Sequence, residues 1–249
     1  MQLLHSATRN YSWGSRTLIP HLQGQPDSDK PVAELWFGAH PGDPSTVDGR
    51  LLNEVIAEDP AGQLGSRVSA EYGERLPFLL KVVAAEGPLS LQAHPSKTQA
   101  EEGFARENAA GIELTASNRN YKDDNHKPEL IVALTDFYAM AGFRPLARTR
   151  ELFAALECPE LDHYVAMLDD DPSATTESAN LRVLFTTWIT IPAAKRKELI
   201  SAIVAAGERL IAADPADWKS RVMSTVLDLN QRYPGDIGVL GALLLNHIE

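Results

Sequence analysis

Near Leu146 the periodicity of the apolar residues changes, and that change divides this 249-residue chain into two kinds of structure. Downstream, apolar residues recur at helical spacing through Thr149–Glu157, Pro159–Leu168, Leu181–Ile189, Ala193–Ala213 and Ala216–Arg232. Thr190-Ile191-Pro192, Asp214-Pro215 and Tyr233-Pro234-Gly235 punctuate these segments. Within Ala193–Ala213 the residues Leu199, Ile200, Ile203, Val204, Leu210 and Ile211 make one stripe, the pattern of a helix packed on other helices. Asp169-Asp170-Asp171-Pro172 reads as a loop with helix-capping acids. Upstream, residues 1–60 hold short extended pieces broken by Gly and Pro. Val32–Phe37 and Phe137–Phe143 read as strands and Leu51–Glu58 as a short helix. Lys97–Ala110 reads as a helix, with Ser96 at its start and Gly111 at its end.

Two pieces of the upstream part place polar, metal-capable side chains where a strand would pack apolar ones. The first, Leu89-Ser90-Leu91-Gln92-Ala93-His94-Pro95, follows the apolar run Leu76–Ala85 and the turn Glu86-Gly87-Pro88, a hairpin signature. Side chains alternate faces along a strand, so Ser90, Gln92 and His94 share one face. Lys81 interrupts the run on the partner strand and points either into the same polar interior or out to water. In the second piece, His126-Lys127-Pro128-Glu129-Leu130, the same parity puts Lys127 and Glu129 on one face. His126 falls on the other face unless the strand begins after it. Leu130–Leu134 continues as a buried strand, and Pro128, lacking an N–H, suits a strand edge or start.

Gln92, His94 and Glu129 then form an N/O ligand set suited to zinc or a similar divalent ion, with a coordination position left open for chemistry. Taken singly, each residue has a plainer reading. Gln-x-His on a strand is commonly a hydrogen-bonded pair, a strand lysine snorkels or is exposed, and a Glu after Pro lies on the surface. Their coincidence on matching faces, together with the family motifs they sit in, favours the metal. Asp123 and Asp124 beside His126 read as a solvated turn rather than a second cluster.

These pieces carry a family resemblance. Gln-Ala-His-Pro in this context and His-Lys-Pro-Glu-Leu downstream resemble motifs of the type I phosphomannose isomerases, members of the cupin superfamily. Tyr11-Ser12-Trp13-Gly14-Ser15, Ala33-Glu34-Leu35-Trp36-Phe37-Gly38, His40-Pro41 and Leu76–Lys81 continue the series in order. Tyr121-Lys122-Asp123, Met140-Ala141-Gly142-Phe143-Arg144, Pro234–Gly238 and Leu243–Asn246 complete it. The resemblance implies a mainly β jelly roll (cupin) with an all-α insertion, α+β overall. Residues 1–146 would be the N-terminal part of the catalytic domain, 147–246 the helical insertion, and 247–249 the start of a returning β segment. Family members continue beyond this point with strands bearing a fourth metal ligand, a histidine, and an arginine used on the substrate. His247 does not match that histidine. The 249 residues alone are therefore expected to be poorly stable, inactive or reliant on self-association, since a jelly roll lacking strands exposes unpaired edges.

The activity implied is interconversion of mannose 6-phosphate and fructose 6-phosphate by proton transfer between C1 and C2 through an enediol-type intermediate, in mannose metabolism. One zinc ion per chain would be held by Gln92, His94 and Glu129. Lys81 and Lys127 are the candidate catalytic residues, one as proton shuttle and the other on the phosphate or the enediolate, in an order the residues leave open. Trp13 would line the substrate site, although an aromatic beside Gly near a strand end commonly anchors a core. Ser90 is a candidate hydrogen-bond donor to substrate. An alternative from another class is a non-catalytic metal- or sugar-phosphate-binding cupin module.

Composition narrows the partners. A net charge of −11 argues against a nucleic-acid surface and against anionic membranes; the resemblance implies a small sugar phosphate as the partner, with the chain a monomer or weak homo-oligomer. Local lysines and the metal would have to reverse that field at the site. The single cysteine, Cys158, excludes an intramolecular disulfide and suits a reducing cytoplasm. Met1–Asn10 lacks the apolar stretch of a signal peptide, and no run is long enough to span a membrane. There is no Gly-rich phosphate loop, Cys-x-x-Cys pair or Gly-x-Ser-x-Gly elbow.

Overall fold

Residues 2–168 and 174–248 are described by the structure, a computed structural model, and contain both helices and strands. The chain forms two units, Met1–Leu89 and Ser90–Glu249. The acidic stretch Asp169–Pro172 lies outside the described residues.

The first unit holds β1 (Leu4–His5), β2 (Ala7–Arg9), α1 (Leu18–Leu22), β3 (Glu34–Phe37), β4 (Thr46–Val47) and β5 (Arg50–Leu51). It continues through α2 (Leu52–Glu58), α3 (Pro60–Leu64), α4 (Ser66–Tyr72) and β6 (Leu80–Val83). Two three-stranded antiparallel sheets form, in the orders β1-β4-β5 and β2-β3-β6. In the second, Arg9 pairs with Glu34, Thr8 with Leu35, Leu35 with Val82 and Trp36 with Lys81. Because directly opposed residues share a face, one face carries Arg9, Glu34, Trp36 and Lys81. Leu35 and Val82 on the other face join a small apolar cluster with Ile19 and Ala84. Alternation in Glu34-Leu35-Trp36-Phe37 thus separates a polar side from a core side. Gly14 lies so close to Ala33 that a Cβ there would come within 2.6 Å of it, so the Trp13-Gly14 pair accepts no side chain at its second position.

The second unit holds α5 (Lys97–Ala109), β7 (Ala139–Phe143), α6 (Leu146–Leu156), α7 (Pro159–Val165) and α8 (Ala174–Ile189). These are followed by α9 (Ala193–Ala213), α10 (Trp218–Arg232), α11 (Ile237–Ala242) and β8 (Leu245–Ile248). The helices from α6 onward bury a continuous apolar core that includes Leu152, Leu184, Trp188, Ile203, Met223 and Leu240. Each such side chain taken from water contributes about 1.5–3 kcal/mol. Asp217 starts α10 by accepting from the Lys219 amide at 2.7 Å. Cys158 is buried between α6 and α7, and burial pushes its thiol up, which keeps it protonated and inert. Strands β7 and β8 pair antiparallel with an irregularity between Met140 and Phe143. The Arg144 amide donates to the Leu244 carbonyl at 2.8 Å, and Arg144 Nη1 donates to the Leu243 carbonyl at 2.8 Å. Among the described residues no helix is long and apolar enough to cross a membrane.

Three expectations are corrected. Leu89–Pro95 is not a strand, and β6 pairs with β3 instead of forming a hairpin with it. Ser90, Gln92 and His94 therefore sit on an irregular segment, as do Lys127 and Glu129, and strand parity assigns none of them a face. Leu130–Leu134 is neither a strand nor buried: Leu130, Ile131, Val132 and Leu134 are 91%, 66%, 73% and 78% exposed. Among the described residues no strand pairs with this run, so its apolar side chains have no sheet to lie in.

Candidate metal centre

In the second unit the irregular segments on either side of α5 bring two candidate ligands together. His94 Nε2 lies 3.7 Å from Glu129 Oε2, and the other carboxylate oxygen, Oε1, lies 3.1 Å from Lys127 Nζ. Ligands at 2.0–2.2 Å from one tetrahedral ion stand about 3.4 Å apart. The imidazole and carboxylate are thus spaced to share a cation, and their donor types suit zinc. Among the described residues no three His, Cys, Asp or Glu side chains gather in metal-holding geometry. Further donors would come from an amide or from solvent, and Gln92, exposed two residues before His94, is an amide of that kind. Ser90 is exposed on the same segment, and His126 is exposed as well.

The Asp123–Asp124 turn is accounted for without a metal. Asp123 Oδ1 accepts from the Asn125 amide at 2.8 Å, and Asp124 faces Lys97 Nζ at 3.6 Å. His247, half-buried in β8, has its ring nitrogen 3.0 Å from the Ala242 carbonyl, and burial lowers its pKa.

In the first unit, Lys81 and Trp13 stand at the two ends of a stack of rings and cations. Lys81 Nζ is 3.6 Å from Glu34 Oε2 and 4.6 Å from the centre of the Trp36 ring. Trp36 Nε1 donates to the same Glu34 oxygen at 2.7 Å, so a buried carboxylate is satisfied by an indole N–H and an ammonium. The Arg9 guanidinium lies 5.0 Å from the Trp36 ring and 5.2 Å from that of Tyr11. Tyr11 stacks on Trp13 with centroids 5.5 Å apart. Asp43 accepts from Arg9 Nη1 at 2.7 Å, which raises the Arg9 pKa and keeps it charged. Such a face carries two cations, each paired with a carboxylate, between flat aromatic walls.

Arg9, Glu34 and Trp36 are functional candidates that reading the sequence missed. A signal for two of them existed, since Glu34 and Trp36 alternate in a quoted motif and parity puts them on one face.

Comparison with known proteins follows this geometry. Residues 1–146 match the family description "phosphomannose isomerase type I, catalytic domain". The chain is 37% identical over 257 aligned residues to a mannose-6-phosphate isomerase of Escherichia coli, covering 100% of this chain and 61% of that protein. It is 32% identical to a mannose-6-phosphate isomerase of Homo sapiens, covering 98% of this chain and 59% of the relative. The crystal structure of mannose 6-phosphate isomerase from Salmonella typhimurium bound to substrate (f6p) and a zinc atom superposes with a TM-score of 0.84 at 35% identity, over 100% of this chain and 61% of that one. The chain thus spans about three fifths of the length of the curated relatives it matches.

Proposed function

Because the chain belongs to the type I phosphomannose isomerase family, we propose that it serves in the metal-dependent interconversion of mannose 6-phosphate and fructose 6-phosphate. The observation that carries this reading is the approach of His94 Nε2 to Glu129 Oε2 at 3.7 Å from two separate segments, each within a family motif. Zinc is the proposed metal, supported by the relatives solved with zinc and by the imidazole and carboxylate donors here. His94, Glu129 and Gln92 would hold it. When bound, such an ion polarises carbonyl and hydroxyl oxygens and steadies the charge that develops as a proton leaves carbon.

The chain's own groups supply the rest. Lys127, 3.1 Å from Glu129, is a cation beside the ligand carboxylate. Lys81 is held by Glu34 and Trp36 on the polar face of the first sheet. One of them would move the proton between C1 and C2, and the other would meet the phosphate or the enediolate. Trp13 would offer a ring wall to the sugar, and Ser90 a hydroxyl. We read residues 1–146 as the family's catalytic part with jelly-roll (cupin) architecture, supported by the extent of the family match. Residues 147–246 would be a helical insertion, supported by the run of helices from α6 to α11. A charged sugar phosphate does not cross a bilayer, which supports a cytoplasmic site of action. A non-catalytic binding module is not favoured, as the named relatives are isomerases.

Zinc titration with a coupled isomerase assay tests the proposal. About one zinc per chain is expected, falling sharply in His94→Ala and in Glu129→Ala. Metal content near one per chain in both variants would remove the ligand assignment.

A further inference from the structure

Helix α5 buries a stripe with almost no apolar surface. Its inward residues are Ala100, Gly103 and Glu107, spaced as one helical face. A helix normally docks through an apolar stripe, so this one packs against something other than a hydrophobic core. Its partner is the segment that leads to Glu129.

Glu107 accepts from the Tyr121 amide at 2.8 Å, the Asn120 amide at 3.1 Å and Asn120 Nδ2 at 3.0 Å. Arg119, whose side chain is 0% exposed, places Nε 3.1 Å from the same carboxylate. Its remaining nitrogens donate to the Ile112 carbonyl at 2.7 Å and to Asn108 Oδ1 at 2.8 Å, so the guanidinium ties the loop back onto α5. One turn earlier, a Cβ on Gly103 would lie 2.5 Å from the Tyr121 ring, so the ring is seated directly on the helix backbone. At the start of the helix, Lys97 Nζ donates to the Asp124 carbonyl at 2.8 Å. That start is itself fixed two residues after His94, by the reciprocal Ser96–Gln99 bonds of 3.3 and 2.9 Å.

His94 thus leads into one end of α5, and the chain that carries Glu129 is fastened along the same helix. Between Asn125 and β7, residues 126–138 pair in no ladder. We infer that α5 is a brace, with the Glu107–Arg119 knot and the Gly103–Tyr121 seat acting as positioning elements that set the His94–Glu129 spacing and thereby the affinity for a divalent cation. The inference rests on the reading of His94 and Glu129 as metal ligands. Its physical basis is preorganisation: a ligand already held in place loses little freedom when the ion binds.

The test is zinc affinity of the 249-residue chain, measured by chelator competition, beside amide hydrogen exchange in the metal-free protein. Glu107→Gln replaces a carboxylate acceptor by an amide that cannot accept from three N–H groups. With helix content unchanged, its zinc affinity is expected to fall by about 10–100-fold, the loss typical when groups supporting a ligand are removed. Gly103→Ala leaves the charge pair intact, displaces the Tyr121 ring and is expected to weaken zinc about tenfold on the same scale. Glu102→Gln, exposed on the same helix, should bind as the parent does. The amides of Asn120 and Tyr121 should be protected in the parent and lose protection in Glu107→Gln. Parent-like affinity in both Glu107→Gln and Gly103→Ala would overturn the brace. Unprotected Asn120 and Tyr121 amides in the folded parent would overturn it too, a result that stands even if a variant fails to fold. Parent-like affinity in His94→Ala would instead remove the metal reading, and the role of the brace in zinc binding with it.

Discussion

Helix α9 and the run Leu130–Leu134 are both strongly apolar, but α9 hides Leu199, Ile200 and Ile203 against neighbouring helices while Leu130, Ile131, Val132 and Leu134 stand in solvent. The helix closes its own backbone hydrogen bonds and needs only a surface for its stripe, which α10, next in sequence, provides. An extended run closes none of its own. Without a strand alongside, it has neither ladder nor cover, however apolar it is. Local periodicity is thus enough to bury a helix and not enough to bury a strand.

Three measurements sharpen that contrast. The largest effect is expected in the helical core, where Ile203→Ala should lower unfolding free energy by about 2–5 kcal/mol in urea titration. Leu130→Ala should change it by no more than about 0.5 kcal/mol. Equal losses would mean that the exposed run is covered in solution.

Acid comes next, and it should act on regions that are neither core nor open run. Hydrogen bonds, the Tyr121 amide foremost, hold the Glu107 carboxyl below the ordinary carboxylate range. A group with a depressed folded-state pKa contributes stability above its unfolded value, which is lost as pH falls through the folded one. Burial likewise keeps His247 neutral below the ordinary histidine value of about 6.5, so its contribution is lost in the same direction at milder acid. Amide exchange on stepwise acidification should therefore show β8 loosening first, then residues 119–121, and α9 last.

The smallest effect on stability is expected from Ile131→Lys, within about 0.5 kcal/mol. Its readout is association. An unpaired apolar run is a template for another chain, so light scattering should show less self-association in the variant, and no change would separate the run from any oligomer.

The same contrast explains what was legible. Ala193–Ala213 emerges with the ends its periodicity predicts, because Pro192 and Asp214-Pro215 act locally. Ser96 starts α5 through a capping box visible in four residues. Strands β3 and β7 form within the segments read as extended. The hairpin at Leu89–Pro95 and the strand at Leu130–Leu134 failed because pairing is a non-local choice. The Glu107–Arg119 knot was invisible for another reason. Charged residues at helical spacing look like a solvated face, and only the fold shows that this face is buried by a loop. At the candidate site, Lys127 does approach Glu129, but on an irregular segment where strand parity is not the cause. The stack from Trp13 through Arg9 to Lys81 needs the register of β2, β3 and β6, which no single segment encodes.

The bonds from Arg144 to Leu243 and Leu244 give the helices a common doorway. The chain departs through it after β7 and comes back through it before β8, so α6–α11 hang from one hinge-like seam. Insertions in the exposed loops between these helices should leave β7–β8 register undisturbed, since each doubling of a flexible loop adds only about 0.6 kcal/mol of closure entropy. The helical part is in that sense a cassette free to diverge in its loops and surface, while Met140, Leu243 and Leu244, packed on its core, tie it to the strands that receive it.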